Sequence, residues 1–213
     1  MNRDGPRLMA DRYKSLLLFG GPGVGKGTQG KLLGAIPGFH HCATGDIFRS
    51  IDPDSELGKI FNQYSSRGEL VPDQVTVDMW LDFMHKQTAE DHYNPQMDLL
   101  ILDGIPRTTE QARIMDDLIE PLKVLYLVCA DPQAMFERLR RRALKQGRND
   151  DADESVIRNR WQVYERESAP VLDHYPKGLI SEIEADTTPA QVLQRLLAIV
   201  EPMQSQHFPP FEG

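Results

Sequence analysis

Ten residues, Gly20-Gly21-Pro22-Gly23-Val24-Gly25-Lys26-Gly27-Thr28-Gln29, leave the chain around them few choices. Just before them, Leu16-Leu17-Leu18-Phe19 is an apolar run that reads as a buried strand. Just after them, Lys31-Leu32-Leu33 continues as the start of a helix. Strand, glycine-rich turn and helix make up the context of a phosphate-binding loop. Glycines let the backbone turn tightly and aim several N–H groups inward. The helix presents its positive end to the same spot. Lys26 adds a full charge able to reach the β- and γ-phosphates of a nucleotide. One member of the pattern is displaced: Gly27 follows the lysine, and the hydroxyl comes a place later, at Thr28. A magnesium ion here would be held by phosphates and water more than by a side chain. The bland alternative is a plain glycine-rich turn, and the agreement of lysine, glycines and both flanking elements weighs against it.

The rest of the chain supplies strands that such a loop can join. Apolar segments at 15–20, 40–43, 97–102, 123–128 and 179–183 alternate with helical patterns. Continuous apolar strands between helices imply a five-stranded parallel sheet covered on both faces, an α/β fold of three layers. Residues 50–67 are polar, with only Ile51, Leu57, Ile60, Phe61 and Tyr64 strongly apolar. They read as a small helical subdomain with a thin core, able to move against the main body. A core helix starts at Asp73 and carries Trp80 as a packing residue. Pro132 opens another helix that runs to about Arg142. A charged loop follows at 145–153, then one long helix over 155–174 with Trp161 and Tyr164. Thr188 and Pro189 suit the N-cap and first position of a last helix, ending near Val200. The organisation read from this is one domain over 14–201. It has an insertion at 44–73, a short flap at 142–153 and flexible tails at 1–13 and 202–213.

With 213 residues and 40% hydrophobic content, the chain can bury a full core. Its formal net charge of −8 argues against a general nucleic-acid or anionic-membrane surface, so an anion site must be a local basic pocket. No apolar run reaches the length of a membrane span, and the polar N-terminus has no signal-peptide stretch. A cytoplasmic protein is expected. Cys42 and Cys129 are far apart, without metal spacing, and read as buried free thiols. His40 and His41 have no partner at metal spacing and read as incidental.

In a parallel sheet, ligands bind at the carboxyl ends of the strands. Gly20, Asp103, Ala130 and Glu184 fall there. Asp103 sits where phosphate-loop enzymes place an acidic residue for magnesium or its waters. Arg49 and Arg107 each follow a turn or helix start. Arg138, Arg140, Arg141, Arg142 and Arg148 form a cluster, and Arg158 and Arg160 lie on the next helix. Arg140 and Arg141 read as a solvated face, whereas Arg142 and Arg148 flank a glycine-bearing segment that could close. Arginine matches phosphate oxygens two at a time and keeps its charge. The chain shows no general base, no protein-kinase His-Arg-Asp and no guanine-reading Asn-Lys-x-Asp. A hydroxyl acceptor needs a base; a phosphate acceptor is already an anion and needs its repulsion neutralised. The residues therefore point to phosphoryl transfer from a nucleoside triphosphate to another phosphate.

At this point the chain resembles the adenylate kinase family of nucleoside monophosphate kinases, from about residue 15 to 200. The loop with its displaced Thr28 is similar to that family's own version. Thr44-Gly45-Asp46 with Arg49, Gly68-Glu69-Leu70-Val71-Pro72, and Asp103-Gly104-Ile105-Pro106-Arg107 with Gln111 resemble its monophosphate-binding segments. The resemblance implies a P-loop NTPase fold, with 44–73 as the monophosphate-binding insertion and 142–153 as a short lid. It implies that Gly23, Val24, Gly25, Lys26, Gly27 and Thr28 cradle the ATP phosphates, and that Thr187 borders the ATP base. Arg49 and Arg107 would hold the AMP phosphate. Thr44 and Gln111 would read its base, beside Glu69, Leu70, Val71, Gly104, Ile105 and Pro106. Arg142, Arg148 and Arg160 would close over the transferring group, and Arg138 would bind ATP. Asp46 and Asp103 would hold magnesium through water.

Relatives that accept pyrimidines tend to have Ala at the place of Thr44 and Asn at that of Gln111, which favours AMP here. Three departures stand out. Ile105 replaces the usual aromatic residue. The stretch 148–153 carries an extra residue before Arg160. The lid is short and free of cysteine, which excludes a zinc-bearing lid. The partners implied are ATP, AMP and ADP, acting on a monomer. A UMP/CMP kinase, another nucleoside monophosphate kinase, a non-catalytic nucleotide switch and a degenerate scaffold are the alternatives.

Overall fold

The computed structural model describes residues 12–146 and 153–209. Five strands form one sheet: β1 (Tyr13–Phe19), β2 (Phe39–Ala43), β3 (Leu99–Asp103), β4 (Ile119–Val128) and β5 (Ile180–Glu184). All pair in parallel, in the order β2-β3-β1-β4-β5. Alternate side chains of β1 enter two different cores. Leu17 and Phe19 join Trp80 and Met84 on one face; Leu16 and Leu18 join Leu33, Leu196 and Val200 on the other. The expected parallel sheet, covered on both faces, is therefore present.

The helices are α1 (Lys26–Leu33), α2 (Thr44–Ser50), α3 (Glu56–Ser65), α4 (Asp73–Ala89), α5 (Thr109–Met115), α6 (Pro132–Gln146), α7 (Glu154–Val163) and α8 (Pro189–His207). Short polar side chains start several of them, as local sequence dictates. Ser55 Oγ accepts from Gly58 N–H at 3.0 Å, and Thr108 Oγ1 from Gln111 N–H at 3.0 Å. Thr188 forms a capping box with Gln191, ahead of Pro189 at the first position.

Some expectations need correction. The charged loop placed at 145–153 begins later, because α6 runs to Gln146; residues 147–152, with Arg148, lie outside the described residues. The single long helix over 155–174 is broken. After α7 the chain widens into a π-turn at Tyr164–Ser168 and tightens into a 3-10 segment at Ala169–His174, with Pro170 in its first turn. Proline lacks the N–H that a regular helix needs and crowds the preceding turn, so the ladder must change pitch there. Finally, the flexible tail placed from 202 is helical to His207 despite Pro202 inside α8. Gln204 Nε2 donates to Pro37 O at 3.1 Å, Phe208 is buried, and the Lys14 ammonium lies 5.4 Å from the Phe208 ring centre. Tyr13, placed in the other tail, belongs to β1 and packs edge-on against Trp80. Among the described residues no helix is long and apolar enough to cross a membrane.

Candidate active site

The sheet order changes direction at β1, and the crevice between β1 and β3 is where such folds bind ligands. The glycine-rich turn leaves β1 at this point. Gly20 has φ +138°, and a Cβ there would stand 2.4 Å from the Leu127 carbonyl oxygen of β4. Only glycine tolerates both conditions. Gly25, at φ +114°, precedes α1, which has no side-chain cap, so its first N–H groups face the turn. Lys26 Nζ donates to Gly20 O at 2.6 Å and to Gly21 O at 3.2 Å. Burial, and then Arg107, Arg160 and Arg142 nearby, push the Lys26 ammonium down to about 8, against the opposing pull of Asp103.

Asp103 ends β3 beside Leu18 of β1. Burial pushes its carboxyl up, but His41, Lys26 and Arg107 outweigh that and hold it below the usual carboxylate range. Its Oδ2 is 3.7 Å from His41 Nε2. His41 is not incidental, as its sequence context suggested. Its ring occupies the space that a Cβ on Gly30 would need, 2.2 Å away, and its own Cβ does the same to Gly34. It wedges β2 against α1 behind the acidic group.

Facing this is a second cluster. Arg49 Nη2 contacts Asp46 Oδ1 at 2.5 Å, and Lys31 Nζ lies 3.4 Å from Asp46 Oδ2. Arg107 Nε donates to Gly104 O at 3.1 Å. Gln111 is 1% exposed. Its Oε1 accepts from Arg107 N–H at 2.7 Å, and its Nε2 donates to Asp73 Oδ1 at 3.0 Å. Thr44 Oγ1 is buried with no hydrogen-bond partner among the described residues. A buried hydroxyl without a partner is costly, and a bound polar ligand would relieve it.

Both clusters open into one cleft of about 760 Å³, within the range of ligand pockets. Gly23, Gly25, Lys26, Gly27, Thr28, Thr44, Asp46, Arg49, Glu69, Leu70, Val71, Asp103, Gly104, Pro106, Arg107, Gln111, Arg138, Arg142 and Arg160 line it. Val24 and Ile105 lie behind the lining, buried in the two cores. Thr187 is not part of it and donates instead to Gln191 Oε1. Arg138 reaches Ala185 O at 3.5 Å. The solvated reading of Arg141 fits its exposed pairing with Glu137, whereas Arg158, grouped with the site cations, does not line the cleft and pairs with Glu154 on the exposed face. Cys42 is buried and its thiol pushed up to about 12, as expected, but Cys129 is only partly buried, its Sγ 3.4 Å from Asp131 O.

Sequence reasoning missed two further contacts. Trp161 of α7 packs on the loop: a Cβ on Gly21 would meet its ring at 2.5 Å. Asn159 Nδ2 donates to Arg67 O at 2.6 Å, joining α7 to the segment after α3. Neither pair has a spacing signal, because the partners lie 140 and 92 positions apart.

A glycine-rich strand-to-helix turn with its lysine at one end of a cleft, and arginines at the other, fits a P-loop phosphotransferase. The family model for adenylate kinase matches residues 18–179. The adenylate kinase of Corynebacterium urealyticum is 36% identical over 187 residues, covering 87% of this chain and 98% of that one. Those of Kocuria rhizophila, 36% over 192 residues, and Flavobacterium johnsoniae, 34% over 193, cover 87% and 88% of this chain and 98% of their own length. The chain belongs to the adenylate kinase family and is a nucleoside monophosphate kinase.

Proposed function

We propose that this protein transfers the terminal phosphoryl group of ATP to AMP, reversibly, giving two ADP. The observation that carries the reading is the single cleft with Lys26 at one end and Arg49 and Arg107 at the other. No histidine or cysteine lines it among the described residues. Two anions brought together there need neutralising, not deprotonating.

In this reading the 23–28 backbone cradles the ATP phosphates and Lys26 bonds the terminal ones. A depressed lysine regains its proton beside a polyphosphate, because the anion opposes burial and the neighbouring arginines. Arg49 and Arg107 seat the AMP phosphate. Arg138, Arg142 and Arg160 spread the charge of the transferring group. Thr44 and Gln111 meet the AMP base, with Glu69, Leu70 and Val71 at its edge, and Thr187 lies toward the ATP base. Residues 50–67 close over AMP and exclude water, the competing acceptor.

Magnesium fits as an ion that arrives with the nucleotide. Among the described residues no group of three His, Cys, Asp or Glu could hold a metal alone, and Asp103 stays ionised beside Lys26. Asp103 and Asp46 would hold it through water, and it would supply neutralisation of charge on the phosphate oxygens.

The test is ADP formation with ATP and magnesium, comparing AMP, UMP, CMP, GMP and dTMP. AMP should be strongly preferred, and ATP hydrolysis without acceptor should be far slower than transfer. Preference for a pyrimidine would overturn the roles of Thr44 and Gln111. Tight ATP binding without turnover on any acceptor would favour a nucleotide switch.

A further inference from the structure

Gln111 is held in one orientation by groups that cannot exchange roles. Its Oε1 accepts from the Arg107 backbone N–H at 2.7 Å. Its Nε2 donates to Asp73 Oδ1 at 3.0 Å. A backbone N–H can only donate and a carboxylate can only accept, so the amide cannot flip. Asp73 Oδ1 also accepts from Thr108 Oγ1 at 2.8 Å, and Thr108 Oγ1 in turn accepts the Gln111 N–H at 3.0 Å. The three residues close a ring that joins the start of α4 to the start of α5. Asp73 does not line the 760 Å³ cleft, whereas Gln111 does.

After these bonds the amide retains one hydrogen on Nε2 and one lone pair on Oε1. That remainder is a donor beside an acceptor in fixed order. Adenine presents the matching pair, an N1 acceptor beside an N6 donor. A 6-oxopurine presents the reverse, an N1–H donor beside an O6 acceptor. We infer that Asp73 is a positioning residue that sets base selectivity, by fixing which way the Gln111 amide faces the acceptor base. The inference rests on the reading of Gln111 as a base-contacting residue. Arg107 N–H alone leaves the Nε2 end without its acceptor, and a buried donor without a partner turns to find another.

The experiment is steady-state kinetics with AMP and IMP on the wild type, Asp73→Ala and Asp73→Asn, with ATP varied and the melting temperature recorded. Asp73→Ala should lower kcat/KM for AMP about tenfold, chiefly through KM, the size expected for one unsatisfied buried donor. IMP should lose far less, so the AMP:IMP ratio falls about tenfold, while KM for ATP stays within about twofold. Asp73→Asn keeps an oxygen able to accept both bonds and should recover most of the ratio. A mere helix-start charge would make both variants equal and hit both acceptors alike; that pattern overturns the inference. Should Asp73→Ala not fold, Asp73→Ser keeps a hydroxyl at the first position of α4 but is too short to reach Gln111, and the same ratio is read from it. An unchanged ratio in an AMP-selective enzyme sinks this inference alone. A wild type that does not favour AMP over IMP sinks the adenine reading as well.

Discussion

The two ends of the cleft are built differently. At the loop end, β1 and β3 run through the middle of the sheet, and Leu99, Leu100, Ile101 and Leu102 are all fully buried. The loop is wedged from three sides, by Leu127 O at Gly20, by Trp161 at Gly21 and by Met135 O at Gly23. At the other end stands α3, whose only buried residue is Gly58. Leu57, Ile60, Phe61 and Tyr64 merely lean against the core, and Phe61 stacks on Phe48 at 5.0 Å. The cations follow the same division. Lys26 is deep among like charges, whereas Arg49 is a third exposed and paired with Asp46. A preorganised phosphate cradle loses catalytic power if it moves, because its donors must already point at the charge that develops. A cover that must admit a substrate and then shut has the opposite requirement, and thin packing lowers the cost of opening.

The comparison breaks first on stability. Leu102→Ala should cost about 2–5 kcal/mol in urea unfolding, whereas Ile60→Ala should cost about 1 kcal/mol or less. Equal losses would mean that α3 is as firmly built as the sheet. On activity, Lys26→Met should lower kcat/KM at least about 100-fold, near 3 kcal/mol of transition-state stabilisation. Its melting temperature should be unchanged or higher, since the burial that depresses Lys26 is a cost to folding. A large loss of melting temperature would assign the lysine to the scaffold instead.

The smallest effect is a pH dependence that the exposed arginine end cannot show. Lys26 drops from 10.5 to about 8 in the folded protein. Between those values the unfolded chain holds a proton that the folded one has released. The contribution of this group to stability therefore rises with pH across that window. Binding of ATP draws the charged form back. Above pH 8 binding should take up a proton, and affinity should fall by up to about tenfold per pH unit. Calorimetry in two buffers of different ionisation enthalpy reads the uptake directly; its absence in wild type at pH 8.5 would contradict the depressed lysine.

By itself, the sequence determined the features that rest on neighbouring residues. The phosphate loop was legible because strand, glycines, Lys26 and helix lie within about fifteen positions of one another. Asp103 and Arg107 could be placed because they follow directly on a buried strand. The caps Thr188 and Pro189 are local hydrogen-bond chemistry and were readable for the same reason. Where local signals are ambiguous, neighbouring residues do not decide the structure. Residues 155–174 carry helical spacing, but Pro170 interrupts the hydrogen-bond ladder, and three helical pitches succeed one another there. The polar stretch after Pro202 resembled a tail because nothing nearby says that Gln204 will bond Pro37 or that Phe208 will be buried.

Tertiary structure alone decided the rest. It set Trp161 on Gly21, His41 behind Asp103, and Asp73 against Gln111, 38 residues further along the chain. A motif records which group touches a ligand, because that chemistry restricts residue type and spacing. The group that holds the first one in place can come from any element that passes close by, and the packing of those elements is what brings it there.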